Sequence, residues 1–277
     1  MKNKIIYITL ILIIGIFTFS VISLNNNSSN DAITTSSTVL SNKKIGWGIK
    51  RNDSHEQPDL GKVNKELLEK YNGIAMGNNE DKYVYLTFDE GYEAGYTSKI
   101  LDVLKENNVK ATFFITGHYL NTASDLVKRM IDEGHIVGNH TVNHKSMPDV
   151  EDKRIRDEIM NLHETVYQKF SYEMKYIRPP MGEFSERTLS IMKNLGYTTT
   201  MWSLAYDDWD ENKQDREEYG KEKVLSNLHN GAIILLHATS KDNSNILDVL
   251  IKEIKKQGYE FKSLEEFIWK RIVFLGK

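Results

Sequence analysis

The sequence has 277 residues, contains no cysteine, and carries a formal net charge of −3 from 36 Lys and Arg against 39 Asp and Glu. A charge this close to neutral argues against a protein that binds duplex nucleic acid, which would normally carry a basic stripe. The lack of cysteine excludes disulfides, thiolate metal sites and thiol nucleophiles, so any metal must be bound by His and carboxylate side chains.

The chain begins with a hydrophobic segment. Residues 5–24 are uncharged and strongly apolar, follow two lysines, and are long enough, at about 20 residues, to cross a bilayer. Residues 1–24 are therefore either a cleaved signal peptide or an uncleaved membrane anchor. The length of the run and the lack of an Ala-x-Ala site after it slightly favour the anchor. In both cases the rest of the chain is predicted to lie outside the cytoplasm.

The next two segments differ in composition. Residues 25–44 are rich in Asn, Ser and Thr and predict a flexible tether. Residues 45–79 contain Trp47 and one predicted helix, and we expect them to form an N-terminal extension packed on the main domain. We assign residues 80–277 to that domain.

From Tyr83 onward, strand and helix patterns alternate. Strands are predicted over residues 83–88, 111–116, 136–139, 176–177, 197–202, 232–236 and 259–262. Helices are predicted over residues 97–107, 123–133, 152–170, 186–195, 217–228 and 246–257, with a last helix after Ser263. About seven strand–helix units in one domain indicate an α/β fold with a parallel sheet or barrel.

Four short polar motifs each follow an apolar run: Thr87-Phe88-Asp89-Glu90, His140-Thr141-Val142-Asn143-His144, Arg178-Pro179-Pro180-Met181-Gly182 and Leu235-Leu236-His237. They fall at the carboxyl ends of strands from four different units. In a closed parallel barrel those ends converge on one face, so we predict a slightly incomplete (β/α) barrel with its site there.

The residue types in these motifs are those of a metal-assisted hydrolase. His140 and His144 stand at i and i+4, which on a helical turn places both imidazoles within reach of one ion. Of Asp89 and Glu90, one could serve as a third ligand and the other as a base. Each motif alone also has a structural explanation, such as capping histidines or helix-entry acids.

Two of the motifs need a partner for their charge. Arg178 is held rigidly before two prolines and can keep Asp89 ionised by pairing with it. His237 ends a very apolar run, where a charged imidazole is costly unless it is paired.

In this order, together with an acidic segment that bears Trp209, the motifs resemble those of the polysaccharide deacetylases, the family 4 carbohydrate esterases, over about residues 83–267. The resemblance implies a distorted (β/α) barrel that hydrolyses acetamides on sugar chains with a divalent metal, for which we expect Zn²⁺. It implies that Asp89 is the general base, Arg178 its partner and His237 the acid. It also implies that the backbone N–H of Met181 helps to hold the oxyanion.

The resemblance makes His140 and His144 metal ligands, but the chain departs from the family pattern twice. Glu90 stands where the family usually has a second Asp that binds the metal, so it is the weakest predicted ligand. The acidic segment lacks its usual first Asp. The acid that orients His237 is then Asp208, Asp207 or a residue not visible in the sequence.

A closer resemblance narrows the substrate. Residues 87–93, 95–97, 113–118 and 255–263 look like those of deacetylases from spore-forming bacteria, which act on N-acetylmuramic acid of peptidoglycan and help to form the δ-lactam of spore cortex. It implies a glycan groove lined by Tyr92, His118 and Trp209. Two alternatives remain: the same chemistry on N-acetylglucosamine of peptidoglycan or chitin-like chains, and a catalytically silent glycan-binding protein.

Overall fold

The structure is a computed structural model that describes residues 39–52, 54–210 and 212–267. The hydrophobic segment 1–24 and most of the predicted tether lie outside the described residues. Within the described part, none of the helices is both long and apolar enough to cross a membrane. Leu40–Lys277 forms one structural unit, and everything below refers to its described residues.

Strands and helices alternate along this unit. The strands are β1 Ile45–Gly46, β2 Tyr83–Glu90, β3 Ala111–Ile115, β4 Ile136–Asn139, β5 Tyr176–Ile177, β6 Glu183–Phe184, β7 Thr198–Thr199, β8 Ala232–His237 and β9 Glu260–Phe261. The α-helices are α1 Lys62–Lys70, α2 Thr97–Glu106, α3 Gly117–Thr122, α4 Ser124–Asp132, α5 Asp152–Phe170, α6 Glu186–Asn194, α7 Glu217–Ser226 and α8 Lys241–Lys256.

The main sheet of the described residues is parallel, with the strand order β7-β5-β4-β3-β2-β8, and β9 pairs with the start of β2. Its two outer strands, β7 and β8, do not pair directly. Instead the segment after β7 spans the seam, where Leu204 forms a parallel bridge to Ile234. The sheet is therefore a curled, incomplete barrel, which confirms the predicted fold.

Several elements differ in extent from the prediction. The strand predicted over residues 197–202 is regular only at Thr198–Thr199. The helix predicted from residue 246 begins five residues earlier, at Lys241. Ser240 is its N-cap, because the Ser240 side chain accepts a hydrogen bond from the Asn243 N–H. The N-terminal extension pairs with the barrel domain through β1, where Ile45 lies opposite Phe184 in an antiparallel ladder.

Two apolar layers flank the sheet, and they fix which way each strand residue points. The layer inside the barrel contains Ile74, Tyr85, Phe114, Ile136, Tyr176, Ile233 and Leu264. The layer beneath the helices includes Leu86, Phe88, Phe113 and Ile115. Because successive strand residues point to opposite faces, Asp89 of β2 points into the barrel with Tyr85, and Glu90 points toward the helices with Phe88.

Candidate active site

Four elements place the predicted catalytic side chains at one end of the barrel. Asp89 lies at the end of β2, and His237 is the last residue of β8, directly across the ladder from it. His140 follows β4 and Arg178 follows β5. Asp89, His140, His144 and His237 line one cavity of about 840 Å³.

A buried ion pair holds the carboxylate of Asp89. The Nη1 of Arg178, which is fully buried, donates to Asp89 Oδ1 at 2.6 Å, and its Nη2 donates to Thr87 Oγ1 at 2.9 Å. The guanidinium also lies 4.2 Å from the ring centroid of Phe114. Burial by itself raises the pKa of Asp89, but the charges of Arg178, His140 and His237 outweigh it, so the pKa lies below its usual value. Asp89 is therefore ionised at neutral pH.

The two histidines of the second motif face each other. The Nδ1–H of His140 donates to the carbonyl oxygen of Arg178 at 2.8 Å, which leaves its Nε2 lone pair free. That Nε2 lies 3.1 Å from Nε2 of His144 and 3.5 Å from Oδ2 of Asp89. Burial lowers the pKa of His140 to about 4 and also lowers that of His144. Both imidazoles are thus neutral at pH 7, as metal ligands must be.

This pair is carried by a loop and not by the predicted helical turn, because Thr141 and His144 have positive φ angles of 67° and 52°. Side chains satisfy the backbone of the loop. Thr141 N–H donates to Asn139 Oδ1 at 2.9 Å, and His144 N–H donates to Thr141 Oγ1 at 3.1 Å. The buried carboxylate of Glu158 accepts from the backbone N–H and the side-chain amide of Asn143 at 2.7 and 2.8 Å.

The spacing of the imidazoles fits a shared divalent ion. Two nitrogens each about 2.0–2.1 Å from one ion lie about 2.9–3.4 Å apart for right-angled to tetrahedral geometry. The observed 3.1 Å falls inside that range. However, no group of three or more His, Cys, Asp or Glu side chains in the described parts of the chain is placed to hold an ion. The site offers two imidazole ligands with the Asp89 carboxylate beside them.

Glu90, predicted as the weakest of the three metal ligands, does not lie beside the two imidazoles in this structure. It points to the helix-facing side of β2 and does not line the cavity. It is completely buried, and neither of its carboxylate oxygens has a hydrogen-bond partner. Burial, with smaller contributions from Glu93 and Asp89, raises its pKa well above the usual value. The alternation of side chains along β2 therefore places the two neighbouring acids on opposite faces of the sheet.

His237 is paired with Asp208. Its Nδ1–H donates to Asp208 Oδ1 at 2.8 Å, which turns Nε2 toward the cavity. Asp208 Oδ2 also accepts from the backbone N–H of His237 at 2.7 Å and from Asn243 Nδ2 at 2.5 Å. Burial alone lowers the pKa of His237, but the adjacent Asp208 carboxylate more than offsets it, so the pKa is raised. The neighbouring Asp207 instead pairs with Lys213 at 3.0 Å.

The other predicted residues divide into two groups. Met181, whose φ is 58°, and the exposed aromatic side chains of Tyr92 and Trp209 line the cavity. His118 is exposed on α3 and is not among the residues that line the cavity, so its place in a glycan groove stays a prediction. Arg51 and Tyr219 also line the cavity, although they belong to none of the sequence motifs.

Comparisons with known proteins identify the family. Residues 76–200 match the family described as polysaccharide deacetylase. The peptidoglycan-N-acetylmuramic acid deacetylase PdaA of Bacillus subtilis is 45% identical over 84% of this chain and 89% of its own length. The chain belongs to the polysaccharide deacetylase family. The solved structure of that PdaA, described as a family 4 carbohydrate esterase, matches with a TM-score of 0.82 and covers 84% of this chain and 100% of its own.

A second kind of relative has a different sugar in its name. A peptidoglycan-N-acetylglucosamine deacetylase of Bacillus cereus is 35% identical over 71% of this chain and 72% of its own length. The family therefore indicates the class of reaction, which is hydrolytic removal of an acetyl group from a polysaccharide. The names of its members include more than one sugar as the site of deacetylation.

Proposed function

We propose that this protein removes the acetyl group of N-acetylmuramic acid in peptidoglycan glycan strands. The proposal depends on the side chains that meet in one cavity. Asp89, paired with Arg178, lies opposite His237, paired with Asp208, on neighbouring strands, and two neutral imidazoles lie beside them. The choice of muramic acid is supported by the higher identity to PdaA than to the glucosamine deacetylase.

In the proposed mechanism, Asp89 is the general base. Its Oδ2 is free of the Arg178 hydrogen bond and accepts a proton from the attacking water, while Arg178 holds Oδ1 and keeps the group ionised before the reaction. His140 and His144 would hold a divalent ion, for which we propose zinc, and such an ion would supply Lewis-acid chemistry to the reaction. The lowered pKa values of both imidazoles keep them available as ligands.

His237 is the general acid in this mechanism. Acetamide hydrolysis must protonate the departing sugar amine, and the Nε2 of His237 is the group in the cavity whose pKa is raised by a dedicated carboxylate. The left-handed backbone of Met181 directs its N–H to the developing oxyanion, as we propose from its place on the cavity wall. The aromatic rings of Tyr92 and Trp209 provide faces on which the sugar chain stacks.

We place this reaction outside the cytoplasm, at the cell wall or in the spore cortex space. Peptidoglycan lies there, and the hydrophobic segment 5–24 would export or anchor the chain. Deacetylation leaves a free amine at C2 of muramic acid, next to the lactyl carboxyl at C3. These two groups can close to a lactam, so a role in forming the muramic δ-lactam of spore cortex follows from the proposed product.

The test is mass spectrometry of glycan fragments before and after incubation with the purified protein. We expect loss of one acetyl mass from muramic acid, abolished by chelation and restored by added Zn²⁺. Asp89→Asn and His237→Ala serve as negative controls. Acetyl loss from glucosamine alone would establish the alternative sugar. If wild type and both variants are equally inert with metal added, the protein is a glycan-binding protein and the proposal is wrong.

A further inference from the structure

One wall of the cavity carries an arginine that the mechanism does not use. Arg51 belongs to the N-terminal extension, in the loop where Lys50 bridges to Asp59 in an antiparallel pair. Its side chain is exposed and lines the cavity together with Asp89 and His237. Its Nη2 donates to the carbonyl oxygen of Ala205 at 2.6 Å, which holds the guanidinium against the barrel domain.

The other charged side chains on the cavity wall already have partners of opposite charge. Asp89 is paired with Arg178. Asp207 is paired with Lys213 and Arg216. For Arg51, by contrast, no carboxylate of the described residues lies within salt-bridge distance, and its hydrogen bond to Ala205 uses only one of its five N–H groups. The cavity therefore presents a fixed guanidinium with donors left over for an anion.

This guanidinium matches the group that distinguishes the two sugars. N-acetylmuramic acid is N-acetylglucosamine that carries a lactyl ether, with its carboxyl group, on C3, next to the acetamide on C2. An acetamide placed between Asp89 and His237 thus brings the lactyl group into the same cavity. Guanidinium groups bind carboxylates through paired, charge-assisted hydrogen bonds.

We infer that Arg51 determines specificity for the muramic sugar by binding the carboxylate of its lactyl group. This inference rests on the proposed function, since it names the contact that would select the sugar. The carboxylates of a peptide stem have the same chemistry. They lie farther from C3, however, and stem attachment converts the lactyl carboxyl into an uncharged amide. A free lactyl carboxylate is therefore the preferred ligand.

The test is a binding measurement that does not depend on turnover. Isothermal titration calorimetry, with every protein carrying Asp89→Asn, compares native Arg51 with Arg51→Gln and Arg51→Lys. The matched control is Lys62→Gln, because Lys62 is an exposed cation on α1 outside the cavity. The probes are glycan strands with free lactyl carboxylates, strands that keep their peptide stems, and N-acetylglucosamine oligomers. We expect Arg51→Gln to weaken binding of the first probe by about tenfold to a hundredfold. Arg51→Lys should be intermediate and Lys62→Gln unchanged.

The same change should leave the affinity for N-acetylglucosamine oligomers unaltered. Equal weakening for all three probes, or no weakening for the free-carboxylate strands, would overturn the inference, and so would weakening confined to stem-bearing strands. The proposed function is tested separately, by measuring acetyl release by the protein with its native Asp89. If that release fails while the Arg51-dependent difference in affinity persists, the catalytic proposal is wrong and the carboxylate contact stands.

Discussion

Replacing Asp208 by Asn tests the assignment of the general acid most directly. The substitution preserves the size of a side chain that is almost completely buried, but it removes the charge facing the His237 imidazolium. The new amide can donate to Nδ1 of His237 and so stabilise the neutral ring. The protonated form, which the mechanism needs, then loses its main support.

The expected loss of activity follows from the geometry. Asp208 Oδ1 lies 2.8 Å from Nδ1 of His237. Each charge is spread over its ring or carboxylate, so the charge centres lie farther apart than these two atoms, and unit charges about 4 Å apart attract each other by about 4 kcal/mol at an effective dielectric of about 20. Since about 1.4 kcal/mol corresponds to a tenfold change in rate, the upper limit is about a thousandfold. The side chain of His237 is 22% exposed, so water recovers part of this energy. We expect kcat/KM to fall by about a hundredfold.

The assay is acetyl release from glycan strands as a function of pH. In wild type, His237 is protonated below its raised pKa, so kcat/KM should fall as the pH rises through a value above 6.5. In Asp208→Asn the pKa of His237 falls, and this basic limb must move to lower pH. Asp207→Asn is the matched control, because Asp207 pairs with Lys213 and Tyr219 and not with His237. Its basic limb should stay where it is in wild type.

Two results would refute the reasoning. The first is a basic limb that does not move in Asp208→Asn, in a variant that thermal unfolding measurements show to be folded. The second is an equal shift in the Asp207→Asn control, because it would show that the effect depends on the general charge of the cavity. A loss of activity without a shift would assign Asp208 a purely structural role.

Three further substitutions test other parts of the site. Arg178→Met should raise the pKa of Asp89 and move the acid limb of kcat/KM to higher pH. The free energy of unfolding, measured by chemical denaturation, should fall by about 3–5 kcal/mol because Asp89 stays buried without its partner. An unmoved acid limb would contradict the pairing. Glu158→Gln should weaken Zn²⁺ binding in equilibrium dialysis by about tenfold to a hundredfold, because Glu158 holds Asn143 of the histidine loop. Unchanged affinity would show that the loop holds its shape without that charge. Glu90→Gln should leave the metal content unchanged, and a loss of bound metal would restore Glu90 as a ligand.

Much of the fold could be predicted from the sequence. Apolar runs such as residues 232–236 must be buried, and they alternate with helical patterns, which indicates a parallel α/β barrel. The ends of parallel strands meet on one face, so Asp89, His140, Arg178 and His237 could be expected together. Short strands such as β7 were harder to delimit, because their pairing is settled by neighbouring strands and not by their own residues.

Only the tertiary structure decided how neighbouring residues divide their roles. Asp89 and Glu90 are adjacent acids in the sequence, and the orientation of β2 between its two apolar layers determines that Asp89 enters the cavity and Glu90 does not. Asp208 rather than Asp207 reaches His237 because the loop after β7 packs against β8. Arg51 lies 154 residues from its partner Ala205 in the chain. Local sequence fixes which segments are buried and how they are shaped, whereas such contacts depend on how distant segments pack, which no local pattern records.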